Sequence, residues 1–205
     1  KIDKEFGLNE IKTDGIDAII AADSGMDFLY ENGVTPDIIV GDFDSTTTNA
    51  LEYFERKGQT EIRRLNPIKD DTDTEYAIRL AISEGARSIV LLGATGSRID
   101  HVLGNISLLG IGLESKTDIS IIDTNNRIRM ADKPVTIEKS AQYGRFVSLI
   151  ALTDDNEVSL KGFKYPVTDY SFDRFTSLGI SNEIVDDHAL IDIHRGKFII
   201  IESKD

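Results

Sequence analysis

The sequence predicts an α/β protein in two parts: an N-terminal, mostly parallel sheet flanked by helices, then an all-β sandwich domain. Three observations carry that expectation. Up to about residue 123, apolar strand-like runs alternate with amphipathic helical segments, the rhythm of a parallel sheet covered on both faces. From about residue 125 the pattern changes to short runs, several alternating in polarity, with no long helix after about 115. No Gly/Ser- or Pro-rich linker divides the two, so the boundary is placed at Asn125–Asn126, giving domains 1–124 and 125–205.

In order, DAIIAAD (17–23) reads as a buried strand ending in Asp23-Ser24-Gly25, and MDFLYENG (26–33) as a short helix stopped by Gly33. DIIVGDF (37–43) is a second strand, a helix follows over roughly 46–57, and EIRRL (61–65) is a short strand. DTEYAIRLAISEG (73–85) places Ala77, Ile78, Ala81 and Ile82 at helical spacing. SIVLLGA (88–94) is a strand, RIDHVLGNISLLGIGL (98–113) one helix, and DISIID (118–123) a strand. Beyond the boundary, NRIRMAD, PVTIEK, RFVSLIAL, EVSLKGF, HALIDIHRG and KFIIIES read as strands, with HRGK (194–197) as a hairpin turn. There is no internal repeat and no low-complexity segment.

Composition narrows the function. The 205 residues are 40% hydrophobic and 29% charged, enough for one large or two small domains with an adequate core. No apolar run approaches the ~20 residues that span a bilayer, and no secretory signal is visible, so no membrane partner is expected. The absence of cysteine excludes a disulfide scaffold, thiolate zinc sites and a cysteine nucleophile, and makes a cytoplasmic location the simplest expectation. A formal charge of −13 repels phosphate backbones and argues against nucleic-acid binding. Nucleotides remain acceptable ligands if a divalent cation bridges the charges.

Two acidic clusters stand out, GDFDS (41–45) and DDTDTE (70–75). Ligands of open parallel sheets bind beyond the carboxyl ends of the strands. Asp23, the Asp42/Asp44 pair and the Gly93–Gly96 loop all follow strands, and Asp71 and Asp73 open a helix. Asp42 and Asp44 stand two apart in extended chain, so their side chains can point the same way. Oxygen ligands gathered like this suit Mg²⁺ with a substrate phosphate. The same residue types also cap helices: Ser24 and Ser45 can do so, and Thr72 with Glu75 matches a capping box. One cap needs one carboxylate, which favours the metal reading for the Asp42/Asp44 pair.

GATGSRIDHVLGN (93–105) places two glycines after a strand, where backbone N–H groups can meet an anion. Arg98 can fork phosphate oxygens, with Asp100 and His101 on the next turn and Asn105 on the same face as His101. On a helix, Arg98 and Asp100 would diverge by roughly 200°, so they are expected to face different partners. His188 and His194 lack metal-ligand spacing. GFKYP (162–166) and LGISNE (178–183) are loop-like, and Ser181 and Asn182 carry directional groups suited to reading a heterocycle; turn-making is their structural alternative.

Taken together, PDIIVGDFDS (36–45), KDDTDTEYAI (69–78), GATGSRIDHVLGN, GFKYP and GISNE (179–183) occur in the order that resembles the thiamine pyrophosphokinase (thiamine diphosphokinase) family. The resemblance spans most of the chain. It implies transfer of a diphosphoryl group from ATP to the hydroxyl of thiamine, giving thiamine diphosphate and AMP. It also implies Mg²⁺, a β-sandwich that binds thiamine, and a homodimer with active sites at the subunit interface. By motif match, Asp42, Asp44, Asp71 and Asp73 become metal and phosphate-site carboxylates, with Asp71, Asp73 and Asp100 catalytic. Asp23, Ser24 and Arg98 become nucleotide-side contacts, and Ser181 and Asn182 thiamine contacts. Two departures stand out. The chain opens at KIDKEFGLNE, where such proteins carry a strand and a small-residue loop, so part of the nucleotide site is expected to lie outside it. There is no Trp to lie against the thiamine ring, which leaves Tyr165 or Phe163 for that place.

Two rivals are weighed against this. DIIVGDFDST also fits haloacid-dehalogenase-like phosphatases, with Asp42 as nucleophile and Asp44 as general acid, but that reading leaves GSRIDH and GISNE unexplained. A non-enzymatic nucleotide- or Ca²⁺-binding module is the other; its acidic loops do not match an EF-hand.

Overall fold

The computed structural model describes residues 2–43, 49–66 and 71–205. In chain order the elements are α1 (Lys4–Ile11), β1 (Ile20–Ala22), α2 (Gly25–Glu31), β2 (Ile38–Gly41), α3 (Ala50–Lys57), β3 (Glu61–Arg64) and α4 (Asp73–Ser83). There follow β4 (Ser88–Leu92), α5 (Ile99–Leu108), α6 (Gly110–Ser115), β5 (Asp118–Ile122), β6 (Asn126–Ala131) and β7 (Val135–Glu138). The chain closes with β8 (Phe146–Ala151), β9 (Glu157–Lys161), β10 (Val167–Ser171), β11 (Asn182–Glu183), β12 (His188–Arg195) and β13 (Phe198–Ser203). Two compact units result, residues 1–89 and 90–205.

The first unit is a parallel sheet, β1-β2-β3, with Ala22 opposite Val40 and Gly41 opposite Arg64. Ile39 and Val40 are successive residues and both fully buried, so both faces of β2 are covered. Ile39 joins Ala21, Met26, Leu29, Ala50 and Phe54 in the core formed with α2 and α3, while α4 packs on β1 and β2. The opening residues are helical rather than a strand: the Asp3 carboxylate accepts from Phe6 N–H at 3.0 Å and caps α1.

The second unit is a sandwich. A four-stranded sheet, β10-β9-β12-β7, and a six-stranded sheet, β11-β8-β13-β6-β5-β4, share one core. Ile137, Val158, Leu160, Ala189 and Ile191 contribute from the first sheet, and Val147, Leu149, Phe198 and Ile200 from the second. The expectation of one parallel sheet running to residue 123 is therefore corrected: β4 and β5 belong to the six-stranded sheet, where β5 pairs antiparallel with β6. HRGK is not a hairpin either. It passes the chain from β12 in one sheet to β13 in the other. Gly196, at φ 90, is needed there because a Cβ would lie 2.3 Å from Asn156 Oδ1. The single helix expected over 98–113 is two, broken at Leu109–Gly110.

Candidate active site

Asp23 follows β1 and Asp42 follows β2. Because Ala22 pairs with Val40, Asp23 comes alongside the Gly41–Asp42 segment, and its N–H donates to Val40 O at 2.8 Å. Gly41 permits that approach: a Cβ there would stand 3.3 Å from Asp23 Cα and 3.1 Å from the Phe43 ring. Asp23 and Phe43 both hold left-handed backbone, at φ 45 and φ 64. For a bulky residue such as Phe43 this is a strained conformation of the kind concentrated at functional sites. Asp73 is the first residue of α4, whose N-cap Thr72 accepts from Glu75 N–H at 3.2 Å. Only half of the expected capping box forms, since the Glu75 carboxylate instead pairs with Arg79 at 2.7 Å.

These placements bring carboxylate oxygens of Asp23, Asp42 and Asp73 within 4.8 Å of one another, all partly buried. Three hard oxygen donors at this spacing suit a small divalent cation, Mg²⁺ above others, with positions left for water or phosphate. Asp71 is exposed and outside this group, and Ser24 is exposed and makes no side-chain cap. Asp44 lies outside the described residues. Asp23, expected on the nucleotide side, stands beside Asp42 and Asp73. Its position after a strand, like that of Asp42, is the sequence signal for this meeting.

In the second unit, the loop after β4 is anchored at two points, Ala94 and Thr95. The Asn105 amide donates to Ala94 O at 3.0 Å. The Thr95 hydroxyl meets the Asp123 carboxylate after β5, and Asn125 and Asn126 N–H donate to Asp123 Oδ1 at 2.8 Å. Burial pushes the Asp123 carboxyl up, and these donors together outweigh it, holding it below its usual value. Arg98 and Asp100 do not diverge as expected. They pair through one edge of the guanidinium, Nη2 at 2.6 Å and Nε at 3.3 Å. The reason is local: Arg98 is the N-cap, with extended backbone at φ −85 and ψ 108, so helical geometry does not apply to it. The Arg98 guanidinium, with the His101 N–H, holds the Asp100 carboxyl at about 2. His194 makes a protein contact, 3.0 Å from Ser159 Oγ.

GFKYP and GISNE run side by side. Asn182 is buried, its carbonyl accepting from Tyr165 N–H at 3.0 Å and its amide donating to Tyr165 O at 2.9 Å. Ser181 is exposed, at φ 60. Of the two aromatic candidates Phe163 is buried in the core, whereas Tyr165 is 63% exposed.

An acidic metal-ready rim on a parallel sheet, in a chain that also carries a β-sandwich, defines a nucleotide-handling α/β enzyme class. Comparison with known proteins gives the family. Residues 12–122 match the catalytic domain of thiamin pyrophosphokinase and residues 134–198 its vitamin B1 binding domain, so the chain belongs to the thiamin pyrophosphokinase family. Thiamine pyrophosphokinase of Bacillus subtilis (strain 168) is 34% identical over 188 residues, 91% of this chain and 87% of that protein. The crystal structure of the Bacillus subtilis enzyme superposes with a TM-score of 0.88 at 32% identity, covering 100% of this chain and 94% of that one. That of thiamin pyrophosphokinase from Geobacillus thermodenitrificans gives 0.85 at 28% identity, covering 100% and 92%. The chain is an enzyme of this family, and the phosphatase reading of GDFDST is set aside.

Proposed function

We propose that the chain transfers a diphosphoryl group from ATP to the hydroxyl of thiamine, releasing AMP, with Mg²⁺ required. The Asp23–Asp42–Asp73 group, on a chain matched by both a catalytic and a vitamin B1 binding domain, carries this reading. Those three carboxylates would hold Mg²⁺, with Asp44 and Asp71 joining by motif match. When bound there, the ion would supply positive charge that offsets the phosphate charge of ATP. The protein's own part is to position reactants and stabilise developing charge. Arg98 grips phosphate oxygens, Asp100 orients the Arg98 fork and serves as a site carboxylate, and Ser24 contacts the nucleotide. A rim carboxylate takes the proton the thiamine hydroxyl must lose. Ser181 and the exposed Tyr165 ring face thiamine, from a loop that Asn182 holds together.

Residues 1–124 supply the catalytic domain and 125–205 the thiamine-binding and dimerisation domain in this reading. A homodimer with sites at the subunit interface is supported by one loop that exposes Phe175 at 91% and Leu178 at 59%. No described helix is long and apolar enough to cross a membrane, and the chain without cysteine fits the cytoplasm. The deciding experiment is AMP release from ATP with and without thiamine and Mg²⁺. Release only when both are present is expected, and thiamine-independent release of inorganic phosphate would overturn the reading. Sedimentation of Phe175→Ser against wild type tests the dimer, with a shift to monomer expected.

A further inference from the structure

The join between residues 163–165 and 182–184 is built more heavily than folding requires. Phe163 bridges Ile184, and both are buried in the sandwich core. Lys164 N–H donates to Glu183 O at 2.8 Å. At the next residue the ladder would end, because Ser181 turns left-handed and gives its N–H to Ser148 Oγ at 2.9 Å. There the Asn182 side chain takes over the role of a strand. Its amide meets both the N–H and the C=O of Tyr165, while its backbone pairs with Val147 of β8. Pro166 follows and has no N–H to offer. Glu183 adds a second fastening, accepting Lys164 Nζ and Arg145 Nε at 2.8 Å each. Lys164 Nζ in turn lies 5.7 Å from the Tyr165 ring centroid. Lys164 and Arg145 together hold the Glu183 carboxyl at about 2, so this fastening is charged at any physiological pH.

All of this immobilises a tyrosine whose ring is mostly in solvent. An exposed aromatic contributes little to a core, and fixing its backbone lowers the ordering cost of a ligand that lies against it. We propose that Asn182 and Glu183 are positioning residues for the thiamine ring, acting through the Tyr165–Lys164 backbone rather than by touching the substrate. The proposal rests on the function proposed above. It assigns Asn182 a task different from the direct contact its motif suggested.

The test is steady-state kinetics on the full chain with Asn182→Asp, Asn182→Ala and Glu183→Gln, each alone and combined with Tyr165→Ala. Asn182→Asp keeps the bonds accepted from Tyr165 N–H and from Glu183 N–H, the latter at 3.0 Å, and sets an oxygen against Tyr165 O in place of the donor. The thiamine KM should rise by roughly tenfold in Asn182→Asp, with kcat and the ATP KM held within about twofold, the scale of one hydrogen bond made repulsive. In the Tyr165→Ala background the same change should add almost nothing. Equal effects with and without the Tyr165 ring, or an equal rise in the ATP KM, would overturn the proposal. Hydrogen exchange provides a readout independent of turnover: the Tyr165 amide should exchange faster in Asn182→Ala. An unchanged rate there rejects the clamp even if the enzyme is active. A wild type that releases no thiamine-dependent AMP rejects the functional reading itself and removes the proposal with it.

Discussion

The two units arrange their acidic side chains in opposite ways. The parallel unit brings three carboxylates of one sign within 4.8 Å, at Asp23, Asp42 and Asp73. The sandwich buries one carboxylate completely, that of Glu202, and surrounds it with Arg127 at 2.7 Å, Arg129 at 2.9 Å and Tyr143 N–H at 2.9 Å. Where the protein supplies the opposite charge itself, the arrangement is scaffold. Where like charges converge, they repel, and a bound divalent cation would relieve the repulsion, as in the function proposed above. The same residue type thus reads as structure or as chemistry according to what faces it.

The largest effect should come from breaking the balanced cluster. Glu202→Ala leaves two guanidiniums facing each other in the sandwich and should cost about 3–5 kcal/mol in denaturant unfolding. A loss under about 1 kcal/mol, typical of an exposed pair, would mean that the Glu202 cluster does not hold the sandwich together. Next, Asp42→Asn and Asp73→Asn should lower thiamine-dependent turnover by roughly 100-fold or more, the scale of one lost charge-stabilising group. Both should fold as stably as wild type without metal, because a like charge has been removed. Asp71→Asn, whose carboxylate is exposed and joins the site only by motif match, should cost less; an equal loss at all three positions would place Asp71 in the same role as Asp42 and Asp73.

Ligand linkage sharpens the comparison further. Mg²⁺ with nucleotide at about 100 times its dissociation constant should stabilise wild type by about 2.7 kcal/mol, read as a rise in melting temperature. Asp42→Asn should show little of that rise, and Glu202→Gln, if folded, should keep it. The smallest effect is at the exposed Arg98–Asp100 pair. Its folded carboxyl lies at about 2 against an ordinary 3.8, so its contribution is complete above 3.8 and is lost as pH falls toward 2. Carboxyl NMR of Arg98→Ala should show Asp100 titrating back near its ordinary value, with the melting temperature at neutral pH almost unchanged.

Much of this was legible in the chain. Runs such as DIIVGDF and KFIIIES mark strands through local apolar patterning, and helix α4 announces itself through Thr72 and the spacing of Ile78 and its neighbours. The ordered motifs identified the family, and Asp42 and Asp73 meet at the rim as their positions after a strand and at a helix start implied. Patterning did not show partnership. Apolar strands look alike whichever sheet receives them, so patterning alone groups β4 and β5 with β1–β3 and makes a hairpin of β12–β13, although each of those strands pairs elsewhere.

By itself, then, the sequence determined most of the strands and helices, though not α1, β10 or β11, where the acidic loops fall, and to which family they belong, because these depend on side-chain period and local order. Only the tertiary structure decided which carboxylates meet. Asp23 enters the cluster through the register of β1 on β2, Asp71 stays outside it, and Asn182 turns its amide inward onto Tyr165. Such encounters depend on contacts between segments far apart in the chain, whose geometry is fixed by packing rather than by spacing along it.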